Sequence, residues 1–203
     1  MQSRRRVRGG KALFSAGDAF TSLYAVDGGF FKTHVLDADG REHVTGFHMG
    51  GELLGLEGIG SGQYNVTAIA LEDSLVGVVP YPLIEQRSRE IPDLQHELHV
   101  ALSRQIARGQ EVLMVLGSMR AEERLAAFLL NLSSRFGQRG YSRSELPLRM
   151  TRRELGSYLG LTLETVSRLF SRFRGQGVVE VRHKHVRLLD VARLKAIVNA
   201  ASG

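Results

Sequence analysis

From about residue 10 to residue 90, apolar residues come in short runs: residues 22–26, 30–36, 44–47, 67–70 and 75–79. Turn formers sit between or before them, in Gly17-Asp18, Asp27-Gly28-Gly29 and Asp37-Ala38-Asp39-Gly40. Many short β-prone runs punctuated by Gly and Asp predict a barrel or roll. Gly50-Gly51 and the Gly58 to Gly62 stretch predict flexible loops. Near Pro92 the period changes. Residues 93–117 lack proline, and Leu94, Leu98, Ala101, Leu102, Gln105, Ile106, Gly109, Val112, Leu113 and Leu116 recur at three-four spacing. That spacing predicts a long helix with an apolar seam, suited either to a second copy of the chain or to the chain's own roll. No acidic residue lies in the seam, and Gly109 would let two backbones approach closely. Gly117 predicts the end of this helix and Ser118 the cap of the next. Glu122 and Glu123 suit that helix's first turn. Leu125, Phe128, Leu129, Leu132 and Phe136 form its apolar stripe, 137–140 breaks it, and 146–148 predicts a short strand.

The next segment carries the most specific pattern. Thr151-Arg152-Arg153-Glu154 has the spacing of a capping box, and Leu155, Tyr158 and Leu159 follow as an apolar face. Gly160-Leu161 interrupts, and Thr162 predicts the cap of a second helix reaching about Arg174. Two helices joined this tightly need a small residue at their crossing and a turn residue tolerant of positive φ. Gly156 and Gly160 supply these, with Val166 and Leu169 packing back on Leu155 and Leu159. The second helix divides by face: Val166, Leu169, Phe170 and Phe173 inward, and Glu164, Ser167, Arg168, Ser171 and Arg172 outward. A helix-turn-helix of this kind reads double-stranded DNA in the major groove. Arg168 suits guanine, Glu164 suits cytosine N4 and also braces Arg168 one turn on, and Ser167 suits a base or phosphate. Residues 178–181 and 186–189 flank a basic turn and predict a hairpin wing, with Arg182, Lys184 and Arg187 on phosphates.

Charge distribution agrees with that reading. Residues 1–90 hold nine Lys/Arg and eleven Asp/Glu, whereas 91–203 hold eighteen and ten. The second half therefore suits a polyanion. Met1 to Arg8 is basic, but no apolar segment follows it, so neither a signal peptide nor a membrane span is expected and the cytoplasm is the expected compartment. The chain has no cysteine, which excludes disulfides, thiolate metal sites, thiol redox sensing and cysteine-ligated clusters.

On these residues the chain resembles the CRP/FNR family of transcription regulators, closest to the FNR branch. The run Leu161-Thr162-Leu163-Glu164-Thr165-Val166-Ser167-Arg168-Leu169 is similar to the FNR-type recognition helix, and the 121–126 run and the 58–62 loop are also similar to that branch. The resemblance implies an α+β chain: a β-roll over residues 1–92, a dimerisation helix over 93–117 and a winged helix-turn-helix over 118–203. It implies a homodimer on a palindrome with TTGAT-like half-sites. Leu163 stands where CRP-type proteins carry arginine, which favours the FNR-type half-site. Glu164, Ser167 and Arg168 are the expected base contacts. Thr151, Arg152, Thr162, Thr165, Ser171, Arg172, Arg182 and Lys184 are the expected backbone contacts. Leu98, Leu102, Ile106, Gly109, Leu113 and Leu116 are the expected dimer interface. RNA polymerase would meet loops 56–62 and 138–145.

The departures are chemical. The FNR cluster uses four cysteines, three in an N-terminal extension this chain lacks and one where Gly77 stands. Cyclic-nucleotide binders of the family need Gly-Glu, present as Gly51-Glu52, and later Arg-Ser or Arg-Thr, where this chain has Tyr64-Asn65. Without that arginine a cyclic phosphate lacks its counter-charge. No cofactor or metal is expected. Three other readings stand beside this one. A haem or nitric-oxide sensor would draw on His34, His43, His48, His96, His99, His183 or His185, none in a diagnostic spacing. A cupin-like metal enzyme would use His48 and Glu52, but Gly46 stands where a further His belongs, so both are expected as loop residues near the roll surface. An architectural DNA binder without sequence choice is disfavoured by Glu164, a carboxylate that is costly against DNA unless it reads a base.

Overall fold

The computed structural model describes residues 3–199. Two compact units divide within one long helix, between Gly109 and Gln110.

The first unit is a roll of antiparallel strands. These are β1 (Ser3–Val7), β2 (Ala12–Phe14), β3 (Ser22–Gly28), β4 (Phe30–Leu36), β5 (Glu42–Met49), β6 (Leu53–Leu54), β7 (Thr67–Ala70) and β8 (Ser74–Pro80). One sheet has the order β1-β8-β3-β6 and the other β2-β7-β4-β5. The buried cluster between them includes Val7, Phe14, Tyr24, Val26, Phe31, Leu54, Tyr64, Ala68 and Val76. The five predicted runs are five of these strands. The basic N-terminal stretch is a sixth: β1 lies at a sheet edge, where exposed Arg4, Arg5 and Arg6 guard against pairing with another chain. It escaped prediction because an edge strand with one buried residue has almost no apolar signal.

Helix α1 (Tyr81–Glu90) follows, where the sequence reading had only the end of the roll. Pro82 in its first turn fixes the backbone for helix, and Ile84 is its one buried residue. Helix α2 (Pro92–Ser118) is the predicted seam helix. The seam is not uniform. Leu98, Ala101 and Leu102 pack on a cluster of Leu23 and Leu56 of the roll and Ile84 of α1. Ile106, Leu113 and Met114 are 62%, 71% and 58% exposed.

In the second unit, α3 (Ala121–Gln138) buries Leu125, Phe128, Leu129, Leu132 and Phe136 as predicted. Its start corrects the sequence reading. Gly117 lies inside α2, and Ser118 is the last residue of α2 rather than a cap, its hydroxyl donating to the Met114 carbonyl at 2.7 Å. The Glu123 carboxylate accepts from the Arg120 backbone N–H at 2.7 Å and does the capping from inside the helix. Strand β9 (Glu145–Pro147), helices α4 (Arg152–Leu159) and α5 (Leu163–Gly175), strands β10 (Val179–Arg182) and β11 (His185–Leu188) and helix α6 (Val191–Asn199) complete the unit. The small sheet runs β10-β11-β9, so the predicted 146–148 stretch becomes the strand that anchors the hairpin.

Phe31 is fully buried and belongs to the roll cluster. Phe31→Ala is expected to cost ~3–5 kcal/mol, read by denaturant unfolding of the full chain. A loss below about 1 kcal/mol would mean that β4 does not hold the roll together.

Candidate nucleic-acid interface

Helix α4 begins as the capping-box pattern requires. The Thr151 hydroxyl accepts from the Glu154 N–H at 3.2 Å, and the Glu154 carboxylate accepts from the Thr151 N–H at 2.7 Å. Gly160 ends the helix at φ 62° and ψ 39°. A Cβ on Gly156 would stand 2.6 Å from the Leu161 carbonyl oxygen, so only glycine permits the turn to close over α4. Leu155, Leu159, Val166, Leu169, Phe170 and Phe173 are all buried. The inward face of the pair is therefore as the sequence predicts.

The outward face is carried by α5. Thr162 caps it, accepting from the Thr165 N–H at 3.2 Å and donating its hydroxyl to Thr165 Oγ1 at 3.1 Å. Glu164 and Arg168 are exposed, one turn apart, with half-buried Ser167 beside them. Glu164 does not brace Arg168. The Arg168 guanidinium donates to Thr165 Oγ1 at 3.3 Å instead. The backbone N–H of Glu164, then the Thr162 hydroxyl, hold the Glu164 carboxyl below the usual carboxylate range. A carboxylate that stays ionised and exposed at a helix N-terminus can accept a hydrogen bond from a base amino group.

The expected backbone contacts divide into three groups. Thr151 caps α4, and Thr162, Thr165 and Ser171 lie on α5 or at its cap. Arg152, by contrast, lies over the Phe170 ring at 3.5 Å from its centroid, and burial pushes its guanidinium down to about 10. It remains charged at neutral pH, but it is spent on packing α4 against α5. Arg172 pairs with Glu122 of α3 at 3.0 Å. In the wing, Arg182 pairs with Glu180 at 2.6 Å and Arg187 with Glu145 at 3.1 Å, while Lys184 is exposed in the two-residue turn beside His183, whose φ is 53°.

Sequence reasoning missed Arg124. Its guanidinium donates to three backbone carbonyls: Leu116 at 2.8 Å, Met119 at 2.9 Å and Leu159 at 3.0 Å. One side chain thereby caps the end of α2 and the end of α4 together. The signal was present but weak: a cation one turn inside the start of α3 opposes the helix dipole unless something else holds it.

Among the described residues no group of three or more His, Asp or Glu side chains is placed to hold a metal ion, and no helix is long and apolar enough to cross a membrane. His48 and Glu52, expected near the surface, are buried. Tyr64, at the position where a cyclic-nucleotide binder carries arginine, is packed 4.0 Å from Phe14 and donates its hydroxyl to the Ser22 carbonyl at 2.7 Å.

Residues 4–88 match the cyclic nucleotide-binding domain family, and residues 123–197 match the Crp-like helix-turn-helix domain family. The chain is 45% identical over its full length to the transcriptional regulatory protein btr of Bordetella pertussis, covering 84% of that protein. It is 42% identical to the transcriptional activator protein FnrA of Stutzerimonas stutzeri, over 97% of this chain and 81% of that one. The chain belongs to the CRP/FNR family of transcription regulators. The solved structure of FixK2 from Bradyrhizobium japonicum superimposes with a TM-score of 0.89 over 97% of both chains, at 28% identity. As a CRP/FNR regulator this is a DNA-binding protein, and the exposed face of α5 is where its helix-turn-helix presents side chains outward.

The crossing of α4 and α5 gives a direct test. Gly156→Ala is expected to destabilise the second unit by ~1–3 kcal/mol, because the Leu161 backbone must move. Gly175→Ala, at a glycine with open space around it, is the control and is expected to be neutral or slightly stabilising. Thermal unfolding of the two variants compares them. Equal midpoints would refute the close crossing.

Proposed function

We propose that this protein is a homodimeric transcription regulator that binds a palindrome of TTGAT-like half-sites, one half-site per subunit, without an iron–sulfur cluster and without a cyclic nucleotide. The observation that carries the reading is the outward face of α5, where Glu164, Ser167 and Arg168 stand together at the capped N-terminal end of the helix, its opposite face buried. In the major groove Arg168 donates two hydrogen bonds to guanine, Glu164 accepts from a cytosine amino group and Ser167 reaches a base or phosphate. Thr151, Arg152, Thr162, Thr165, Ser171, Arg172, Arg182 and Lys184 fix the register on the sugar-phosphate backbone. Of these, Lys184 and Ser171 are exposed, whereas Arg152 must leave the Phe170 ring to take part.

Pairing is supported by the C-terminal half of the seam. Ile106 and Leu113 are seven residues apart and exposed on α2, with Gly109 between them. Apolar side chains on one helix face at heptad spacing are costly in water and stable against a second copy. Leu102 and Leu116 extend the same seam, and Leu98 borders it from the roll side. Two-fold pairing there sets two recognition helices one DNA turn apart. The sign of regulation is read as activation, by likeness to FnrA, through contact of loops 56–62 and 138–145 with RNA polymerase in the cytoplasm.

Arg168→Ala is expected to weaken binding to the palindrome by ~1–3 kcal/mol and to relax the preference for guanine at one position of each half-site. Lys184→Ala is expected to weaken binding equally on all sequences and to lower the salt slope by about 1. Fluorescence anisotropy with single-base-substituted duplexes separates the two effects. An Arg168→Ala variant with unchanged base preference would remove that residue from the reading surface.

A further inference from the structure

Glu52 lies in the turn between β5 and β6, and its side chain is 2% exposed. A buried carboxylate is expensive unless it is paired. Its counter-charge comes from α2: Arg108 Nη1 is 3.1 Å from Glu52 Oε2. On the roll side, His48 Nδ1 is 3.7 Å from the same oxygen, His48 Nε2 is 3.3 Å from Thr33 Oγ1, and Thr45 donates its hydroxyl to Thr33 at 3.0 Å. Thr33 pairs with Gly46 and His48 with Phe31 across β4 and β5, so Thr33 and His48 share the face of Phe31 and point into the roll. Gly46 leaves room for the imidazole: a Cβ there would stand 2.8 Å from His48 Nε2 and 3.0 Å from Thr33 Oγ1. A polar column thus runs from the inside of the roll to Arg108.

Arg108 lies seven residues, two helical turns, beyond Ala101, which already rests on the roll. It immediately precedes Gly109, and Ile106 and Leu113, two residues before and five after it, stand on the opposite side of the helix. We propose that Arg108 is a positioning residue: its guanidinium occupies the buried Glu52 carboxylate from within the chain, fixes the rotation of α2 on the roll, and so presents the Ile106–Leu113 face for pairing with no effector bound. This deepens the reading of α2 as the pairing helix and rests on it. In a roll whose buried carboxylate had no such partner, a bound ligand would have to satisfy it. Here the chain satisfies it itself. A neutral side chain at residue 108 would remove that counter-charge from the carboxylate, and leave the helix freer to turn.

The test uses the full chain with Arg108→Ala, Arg108→Lys and Glu52→Gln. Sedimentation equilibrium gives the dimer constant, and hydrogen exchange gives protection along α2 around residue 108. Arg108→Ala is expected to weaken the dimer roughly tenfold or more and to speed exchange. Millimolar methylguanidinium chloride is expected to restore both, where equal sodium chloride or methylammonium chloride is not. Arg108→Lys is expected to fall between wild type and Arg108→Ala, and methylguanidinium to do nothing for Arg108→Ala in a Glu52→Gln background. Wild-type pairing and exchange in Arg108→Ala, or loss without rescue by methylguanidinium, would overturn the proposal. A wild-type chain that is monomeric would overturn the pairing role and the dimer reading together, while the exchange arm still decides whether Arg108 holds α2.

Discussion

The approach of α4 to α5 is the constraint on which the reading surface depends. With the Leu161 carbonyl oxygen 2.6 Å from where a Gly156 Cβ would lie, and Gly160 in the left-handed region, the two helices are fixed by backbone rather than by side-chain choice. Once the crossing is set, Leu155, Leu159, Val166, Leu169, Phe170 and Phe173 have only one side on which to bury themselves, and Glu164, Ser167 and Arg168 are left on the other. The polar residues are outward because the apolar ones cannot be, and the cap at Thr162 sets which turn comes first.

Two arginines extend that order along the chain, each by saturating acceptors that would otherwise be costly. Arg124 satisfies orphan carbonyls at the ends of α2 and α4 at once. Arg108 neutralises a buried carboxylate of the roll. Each joins elements separated in sequence, and Arg124 does so with a planar fork of donors that lysine cannot reproduce.

What the sequence made legible follows from how local the physics is. The capping box at Thr151, the turn glycines and the two-faced pattern of α5 are settled within a few residues, and they read correctly. The five apolar strands of the roll read correctly for the same reason. Strand β1 did not, because its three arginines satisfy an edge and not a core. Helix α1 was hidden because only Ile84 is buried, and the start of α3 was misread because Glu123 caps from inside the helix while Ser118 folds back on α2. The engagement of Arg168 with Thr165, and of Glu52 with Arg108, depends on rotamers and on long-range packing, which periodicity does not encode. His48 and Glu52 looked like loop residues for that reason; a carboxylate paired 56 positions away leaves no local trace.

The central claim is that the chain reads DNA sequence as it stands, with the roll satisfied internally. Fluorescence anisotropy of the purified wild-type protein on a labelled TTGAT–ATCAA palindrome, against a scrambled duplex, in air, with no added ligand and at physiological salt, tests it most directly. The account predicts a preference for the palindrome of at least ~10³. Equal, weak and salt-sensitive binding to both duplexes would contradict it.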